Sequence, residues 1–126
     1  MMKKIVLRLT LMCALLCASS LAYSAEHFGV KVYQGAQFDA EQTKAAREAV
    51  PFEIFCYRIK DSVKKVAAFY ENQTGLLALG SDESSAMFMK EEDGATVRVL
   101  IASPWTDVRT GNAHPDTLIQ ILKAEE

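Results

Sequence analysis

The sequence predicts an α+β fold in which an antiparallel sheet packs against one main amphipathic helix, with a second short helix. Two patterns support this prediction. A helical repeat of apolar residues begins at Val63, and an Asp93-Gly94 turn separates two segments of strand character. Because strand segments both precede and follow the main helix, antiparallel pairing is expected.

Residues 1–24 have the layout of a secretory signal peptide. A basic start precedes a mostly apolar run, residues 5–16, and then a stretch of small residues, 18–25. A membrane anchor is the alternative, but a spanning helix needs about 20 predominantly apolar residues. Only residues 9–25 are free of charge, and their second half is small and polar. Cleavage is therefore favoured, and the protein is expected to be periplasmic or secreted.

Cleavage fits best after Ser24, with Ala22 and Ala25 as alternative last residues of the signal segment. The remaining residues, 25–126, form a single domain large enough for a hydrophobic core. Loss of the three basic residues of the signal segment lowers the formal charge from −2 to −5. This acidic balance argues against nucleic acid and against anionic membranes as partners, and no stable membrane insertion is expected after cleavage.

Cleavage also decides the cysteine chemistry. Cys13 and Cys17 lie in the signal segment, and the bulky residues before each one do not suit a lipoprotein site. Cys56 then remains alone and cannot form an internal disulfide. Its neighbours Phe55 and Tyr57 favour a buried, structural cysteine.

The segment before the main helix contains two predicted strands and the short helix. The strands cover residues 30–33 and 52–60, and the second is apolar on both faces, as a central strand is. The helix covers residues 39–50, with Asp39 as its cap and Pro51 as its stop. Its apolar face holds only alanine and valine, so we expect it at the surface.

The main helix is predicted over residues 61–74, with Gly75 as its C-terminal cap. One face carries the residues spaced as i, i+3, i+4 and i+7, namely Val63, Val66, Ala67 and Tyr70.

A hairpin follows a short strand at residues 76–79. The Asp93-Gly94 turn requires positive φ angles and fixes the register of the two strands that flank it. This register places Lys90 opposite Val97, Phe88 opposite Val99, and Ala86 opposite Ile101. A one-residue slip would mix the two faces, so turn and register support each other.

A polar connection over residues 103–116 leads to the last element, residues 117–123. The period of that element is ambiguous between strand and helix. A strand is favoured because the preceding strand needs a neighbour and because Ile119 and Ile121 alternate.

Several short motifs are distributed over most of the mature chain. They are Tyr-x-Gly-Ala at 33–36, Asp-Ser-Val at 61–63, Val-Ala-x-Phe-Tyr at 66–70, Ser-Pro-Trp at 103–105, Thr-Gly at 110–111 and Asp-Thr-Leu-Ile at 116–119. Together they resemble a group of small exported bacterial proteins without an established activity. The resemblance implies a periplasmic protein with a C-terminal strand, and it assigns no catalytic residue.

The connection 103–116 concentrates the residues that suit a binding site, since sites usually lie on loops held by a scaffold. The candidate residues are Trp105, Asp107, Arg109, His114 and Asp116. Arg109 can clamp a carboxylate or phosphate or pair with Asp107, and His114 can titrate or bind metal. The structural alternative is an ordered loop in which Trp105 covers the sheet edge and Asp116 caps the next element.

No metal or cofactor is predicted. The mature chain has only two histidines, His27 and His114, without metal-ligand spacing. A soft copper site of Met87, Met89 and Cys56 is the weaker alternative, because alternation along a strand explains both methionines by packing.

Export, small size and the lack of a catalytic motif predict a non-catalytic module that binds a protein partner or small ligand. The alternative is a small hydrolase-like enzyme. It would use Cys56 with His114 and Asp116, or the cluster of Asp107, Arg109 and His114.

Overall fold

The computed structural model describes residues 25–125 and is mainly β, which corrects the predicted α+β class. Strands account for 47% of the structure and two short helices for about 19%. The prediction gave too much weight to the helices, which are only ten and nine residues long. The predicted signal peptide, with Cys13 and Cys17, and Glu126 lie outside the described residues.

The described part of the chain contains ten strands, and all their pairings are antiparallel. In chain order they are β1 Glu26–His27, β2 Val30–Lys31, β3 Gln37–Phe38, β4 Glu53–Ile59, β5 Leu77–Ser81, β6 Ser85–Glu92, β7 Ala95–Ala102, β8 Trp105–Thr106, β9 Ala113–His114 and β10 Thr117–Glu125. The helices are α1, Ala40–Ala49, and α2, Val63–Glu71. Six strands form one sheet in the order β3-β4-β10-β7-β6-β5, and β1-β2 and β8-β9 form two small sheets.

The predicted hairpin is confirmed in turn and register. Asp93 and Gly94 both have positive φ, at 51° and 78°, and Phe88 pairs with Val99 as expected. The strand prediction for residues 117–123 is also confirmed, because β10 pairs with β4 on one side and with β7 on the other. The polar connection therefore joins two neighbouring strands in the middle of the sheet.

Each helix lies on its own face of the six-stranded sheet. The apolar side of α2 packs with the larger part of the core, which includes Phe88, Val99, Ile101, Ile119 and Ile121. On the other face, Ala46 of α1 packs with Ile54, Cys56, Trp105, Leu118 and Leu122. Side chains alternate along β4 and β10, so both strands contribute to both cores.

The outer edge of β4 is covered by α1. Thr43 Oγ1 accepts a hydrogen bond from the backbone N–H of Cys56 at 2.9 Å. Arg47 Nε donates to the carbonyl of Ile54 at 3.0 Å. The backbone N–H of Asp39 donates to the carbonyl of Cys56 at 2.9 Å. Strand β3 pairs with β4 only at Tyr57 and Arg58. The bonds from α1 satisfy backbone groups of β4 where it has no neighbouring strand.

Among residues 25–125, the opposite edge, β5, has no such cover. All five residues of β5 are exposed, including Leu77 and Leu79. A register shift between Ala78 and Gly80 interrupts its pairing with β6. The strand carries no charged side chain that would block pairing with another chain.

Candidate functional site

The predicted site loop folds back on itself as a small hairpin. Strands β8 and β9 pair Trp105 with His114, and their rings stack at a centroid distance of 4.5 Å. The turn between them is closed by the backbone N–H of Asp107, which donates to Asn112, and by Gly111, whose φ is 75°. This pairing was not predicted, because two-residue strands carry no periodicity.

Trp105 is buried at the base of this hairpin, in the core beneath α1. Its indole Nε1 donates a hydrogen bond of 2.9 Å to Asp116 Oδ1. Trp105 therefore anchors the loop to a face of the sheet and offers no exposed ring to a partner.

Arg58 on β4 joins the loop residues into one network. Its Nε donates to Asp116 Oδ2 at 2.8 Å, and its guanidinium carbon lies 4.9 Å from the centroid of the Trp105 ring. Its Nη2 lies 3.4 Å from His114 Nδ1, and its Nη1 lies 3.7 Å from Asp39 Oδ2. A residue outside the predicted loop thus lies at the centre of the site.

The sequence analysis missed Arg58 as a site residue, together with Asp39 and Glu41. One signal was present in the sequence, because Arg58 follows Ile54 and Cys56 on one face of a strand that is otherwise apolar. An arginine on such a face needs a partner for its charge.

Arg109 forms the second guanidinium of the site. Its Nη2 donates to Asp107 Oδ2 at 2.8 Å, and its Nε donates to Oδ1 at 3.3 Å. Its backbone N–H also donates to Asp107 Oδ1, at 2.9 Å, and its Nη1 donates to Glu41 of α1 at 3.1 Å. His114 Nε2 lies 3.9 Å from Asp107 Oδ2, so Asp107 links the two ends of the network.

Both central carboxylates are held in the charged form. The backbone N–H of Arg109, and then its guanidinium, hold the pKa of Asp107 below its ordinary value. Burial pushes the pKa of Asp116 upward, but hydrogen bonds from Arg58 and Trp105 outweigh burial and keep that pKa below its ordinary value. The hydrogen bond to Asp116 in turn raises the pKa of Arg58.

These side chains line an open groove of about 740 Å³ between the loop, β3 and the start of α1. Its charged residues include the carboxylates Asp39, Glu41, Asp61, Asp107 and Asp116 and the cations Arg58, Lys60 and Arg109. Phe38, which is 51% exposed, and Ile59 supply an apolar wall. Four of the five predicted residues line this groove, and Trp105 lies beneath it.

Cys56 does not belong to the groove. It is fully buried in the α1 core, and its Sγ accepts a hydrogen bond from Gln120 Nε2 at 3.7 Å. Burial raises the pKa of its thiol. Asp116 and His114 instead contact Arg58, so the structure does not assemble the proposed triad of Cys56, His114 and Asp116.

Within residues 25–125, no three His, Cys, Asp or Glu side chains are grouped so that they could hold a metal ion. His27 is engaged elsewhere, with its Nε2 at 2.6 Å from the hydroxyl of Tyr57 and its ring stacked on Phe55. No helix in the same range has the length and apolar character required to span a membrane.

Comparisons of the chain with protein-family models, curated proteins and solved structures found no significant match. The resemblance to small exported bacterial proteins therefore rests on the short sequence motifs alone.

Proposed function

We propose that the protein is an exported, non-catalytic binding module that holds a protein partner or small ligand in the groove. The observation that carries this proposal is the single network from Arg58 through Asp116, Trp105, His114 and Asp107 to Arg109. It presents two guanidinium groups at one open groove.

The network is suited to binding because it is rigid before a ligand arrives. The side chain of Asp107 is only 6% exposed and receives both the backbone and the guanidinium of Arg109. Asp116 is fixed in the same way by Arg58 and Trp105. Side chains that are already ordered lose little conformational entropy on binding, so more of the contact energy appears as affinity.

The hydrolase alternative lacks a serine, threonine or cysteine nucleophile among the described residues that line the groove. Cys56, the proposed nucleophile, is buried with a raised thiol pKa, whereas a reactive cysteine needs an exposed thiolate. These observations favour binding over covalent catalysis.

The single tryptophan provides a direct test. The Trp105 indole N–H gives the only indole resonance of the protein, and it donates to a carboxylate of the network. We expect periplasmic extract fractions that contain the ligand to shift this resonance in ¹⁵N-labelled protein. Arg109→Gln should abolish the shift, while Arg98→Gln on β7, outside the groove, should retain it.

Unfolding midpoints of Arg109→Gln and Arg98→Gln show whether loss of the resonance shift reflects weaker binding or a failure to fold. If the Arg109→Gln and Arg58→Lys variants bind the ligand as tightly as the unmodified protein, the binding surface lies elsewhere and the proposal is contradicted.

A further inference from the structure

We infer that the groove recognises an organic carboxylate, which Arg58 and Arg109 bind while its apolar part contacts Phe38. This inference rests on the proposed function and adds the chemical class of the ligand. It follows from which donors and acceptors of the groove are already satisfied.

Arg58 retains hydrogen-bonding capacity towards the groove. A guanidinium has five N–H donors, and the Nε donor of Arg58 is engaged by Asp116. Its Nη2 lies 3.4 Å from His114 Nδ1, whereas the 3.7 Å from Nη1 to Asp39 Oδ2 is an ion pair but too long for a hydrogen bond. The side chain is 35% exposed, so these donors are accessible to a ligand.

Arg109 can exchange one of its partners for a ligand. Its Nη1 is held by Glu41, whose side chain is 78% exposed. Ion pairs at such exposed positions contribute little to stability, so an incoming carboxylate replaces Glu41 with the same chemistry at small cost. Lys60, a third groove cation, makes no ion pair with any residue between 25 and 125.

Two of the five groove carboxylates, Asp107 and Asp116, have both oxygens engaged, although the carboxylates outnumber the cations. Both oxygens of Asp107 accept hydrogen bonds from Arg109, and those of Asp116 accept from Arg58 and Trp105. A cationic ligand would therefore have to compete with charged donors that the fold already holds in place. The accessible donors belong to arginine and lysine and favour an anionic ligand. Asp39, Glu41 and Asp61 keep accessible acceptors that favour a cation, and a cationic probe tests that outcome.

The charges of Asp107 and Asp116 also favour one kind of anion over another. Their negative charges lower the local potential, so a monoanion is accepted more readily than a phosphate dianion. The exposed ring of Phe38 and the half-buried Ile59 lie in the same groove and offer contact to an apolar group. A carboxylate attached to an apolar group satisfies both features.

Four probes test the inference in the full-length mature protein. Phenylacetate, phenylacetamide and phenethylamine share the phenyl ring and differ in charge, and inorganic phosphate lacks the ring. We expect phenylacetate to shift the Trp105 indole and the Arg58 and Arg109 Nε resonances in a saturable manner. Phenylacetamide and phenethylamine should bind at least about tenfold more weakly, as the loss of a charge-assisted hydrogen bond predicts. Phosphate should also bind more weakly, because it lacks the ring and carries more negative charge.

Arg109→Gln should weaken phenylacetate binding by about tenfold or more, and Arg98→Gln should leave it unchanged. If Arg109→Gln does not fold, Lys60→Gln serves as the second groove variant, with a smaller loss expected. Equal or tighter binding of phenethylamine, phenylacetamide or phosphate would overturn the carboxylate inference while leaving a groove-binding function in place. No shift with any probe would also overturn it, and the extract experiment would then decide the proposed function independently.

Discussion

Arg58 and Trp105 donate hydrogen bonds to opposite oxygens of one carboxylate, that of Asp116, at 2.8 and 2.9 Å. The guanidinium also lies over the indole ring. Arg58 belongs to β4 and Trp105 to β8 in the loop, so their shared acceptor joins the groove to the core. Changes at this point should therefore affect both stability and binding.

Asp116→Asn should lower the free energy of unfolding at neutral pH by about 1–3 kcal/mol, because the amide leaves one of the two donors without an acceptor. Since the pKa of Asp116 is depressed in the folded state, its stabilising contribution is present above the ordinary aspartate pKa. That contribution is lost as the pH falls through the lower folded-state pKa.

Denaturant titrations of the wild type and of Asp116→Asn over the acidic range measure this effect. The stability difference between them should shrink as the pH falls. Asp93→Asn, in the exposed hairpin turn, is the matched control for the same substitution outside the network. A difference that stays constant down to strongly acidic pH would contradict the assignment.

Trp105→Ala should destabilise the protein by about 3–5 kcal/mol, since it removes a large buried side chain and leaves a cavity. Trp105→Phe should cost less, because it keeps an aromatic ring but loses the donor to Asp116. Denaturant midpoints of both variants test this order. Unchanged stability in Trp105→Ala would mean that the indole is not part of the core.

Thr43→Val should destabilise the protein by about 1–3 kcal/mol, because it leaves the buried backbone N–H of Cys56 without its acceptor. Thr43→Ser keeps the hydroxyl and serves as the control. Thermal or chemical unfolding of the two variants provides the measurement. The prediction fails if the serine variant is as unstable as the valine variant.

Cys56 should not react with a thiol reagent such as 5,5′-dithiobis(2-nitrobenzoate) in the native protein, because its thiol is buried and its pKa is raised. Reaction should appear only with unfolding, at a rate set by the unfolding step. Rapid labelling without denaturant would restore Cys56 as a candidate nucleophile.

The strands were predictable where local chemistry and periodicity agreed. Asp93-Gly94 imposes a turn, and the alternation around Phe88 and Val99 allows only one register. The fold class was wrong in part because β1, β3, β8 and β9, which were not predicted, are two-residue strands and too short to show any period. The main helix was also predicted too long, since α2 ends at Glu71 and not at residue 74.

The site was predictable only in part. Asp107, Arg109, His114 and Asp116 could be selected because uncommon residue types lie close together in one loop. Arg58 and Glu41 come from β4 and α1, and only the sheet topology and the helix position bring them to the loop. Sequence spacing does not report such long-range contacts, which explains why the central residue was missed.

The two sides of the six-stranded sheet have unequal consequences for self-assembly. Side chains of α1 close the β4 side, whereas β5 leaves backbone groups and two leucines in solvent. A fibre requires two edges that can pair, and the far edge strand of this sheet, β3, is only two residues long. When two molecules pair through β5, the β5 edge of each is covered. Assembly by strand pairing at β5 therefore ends at a dimer.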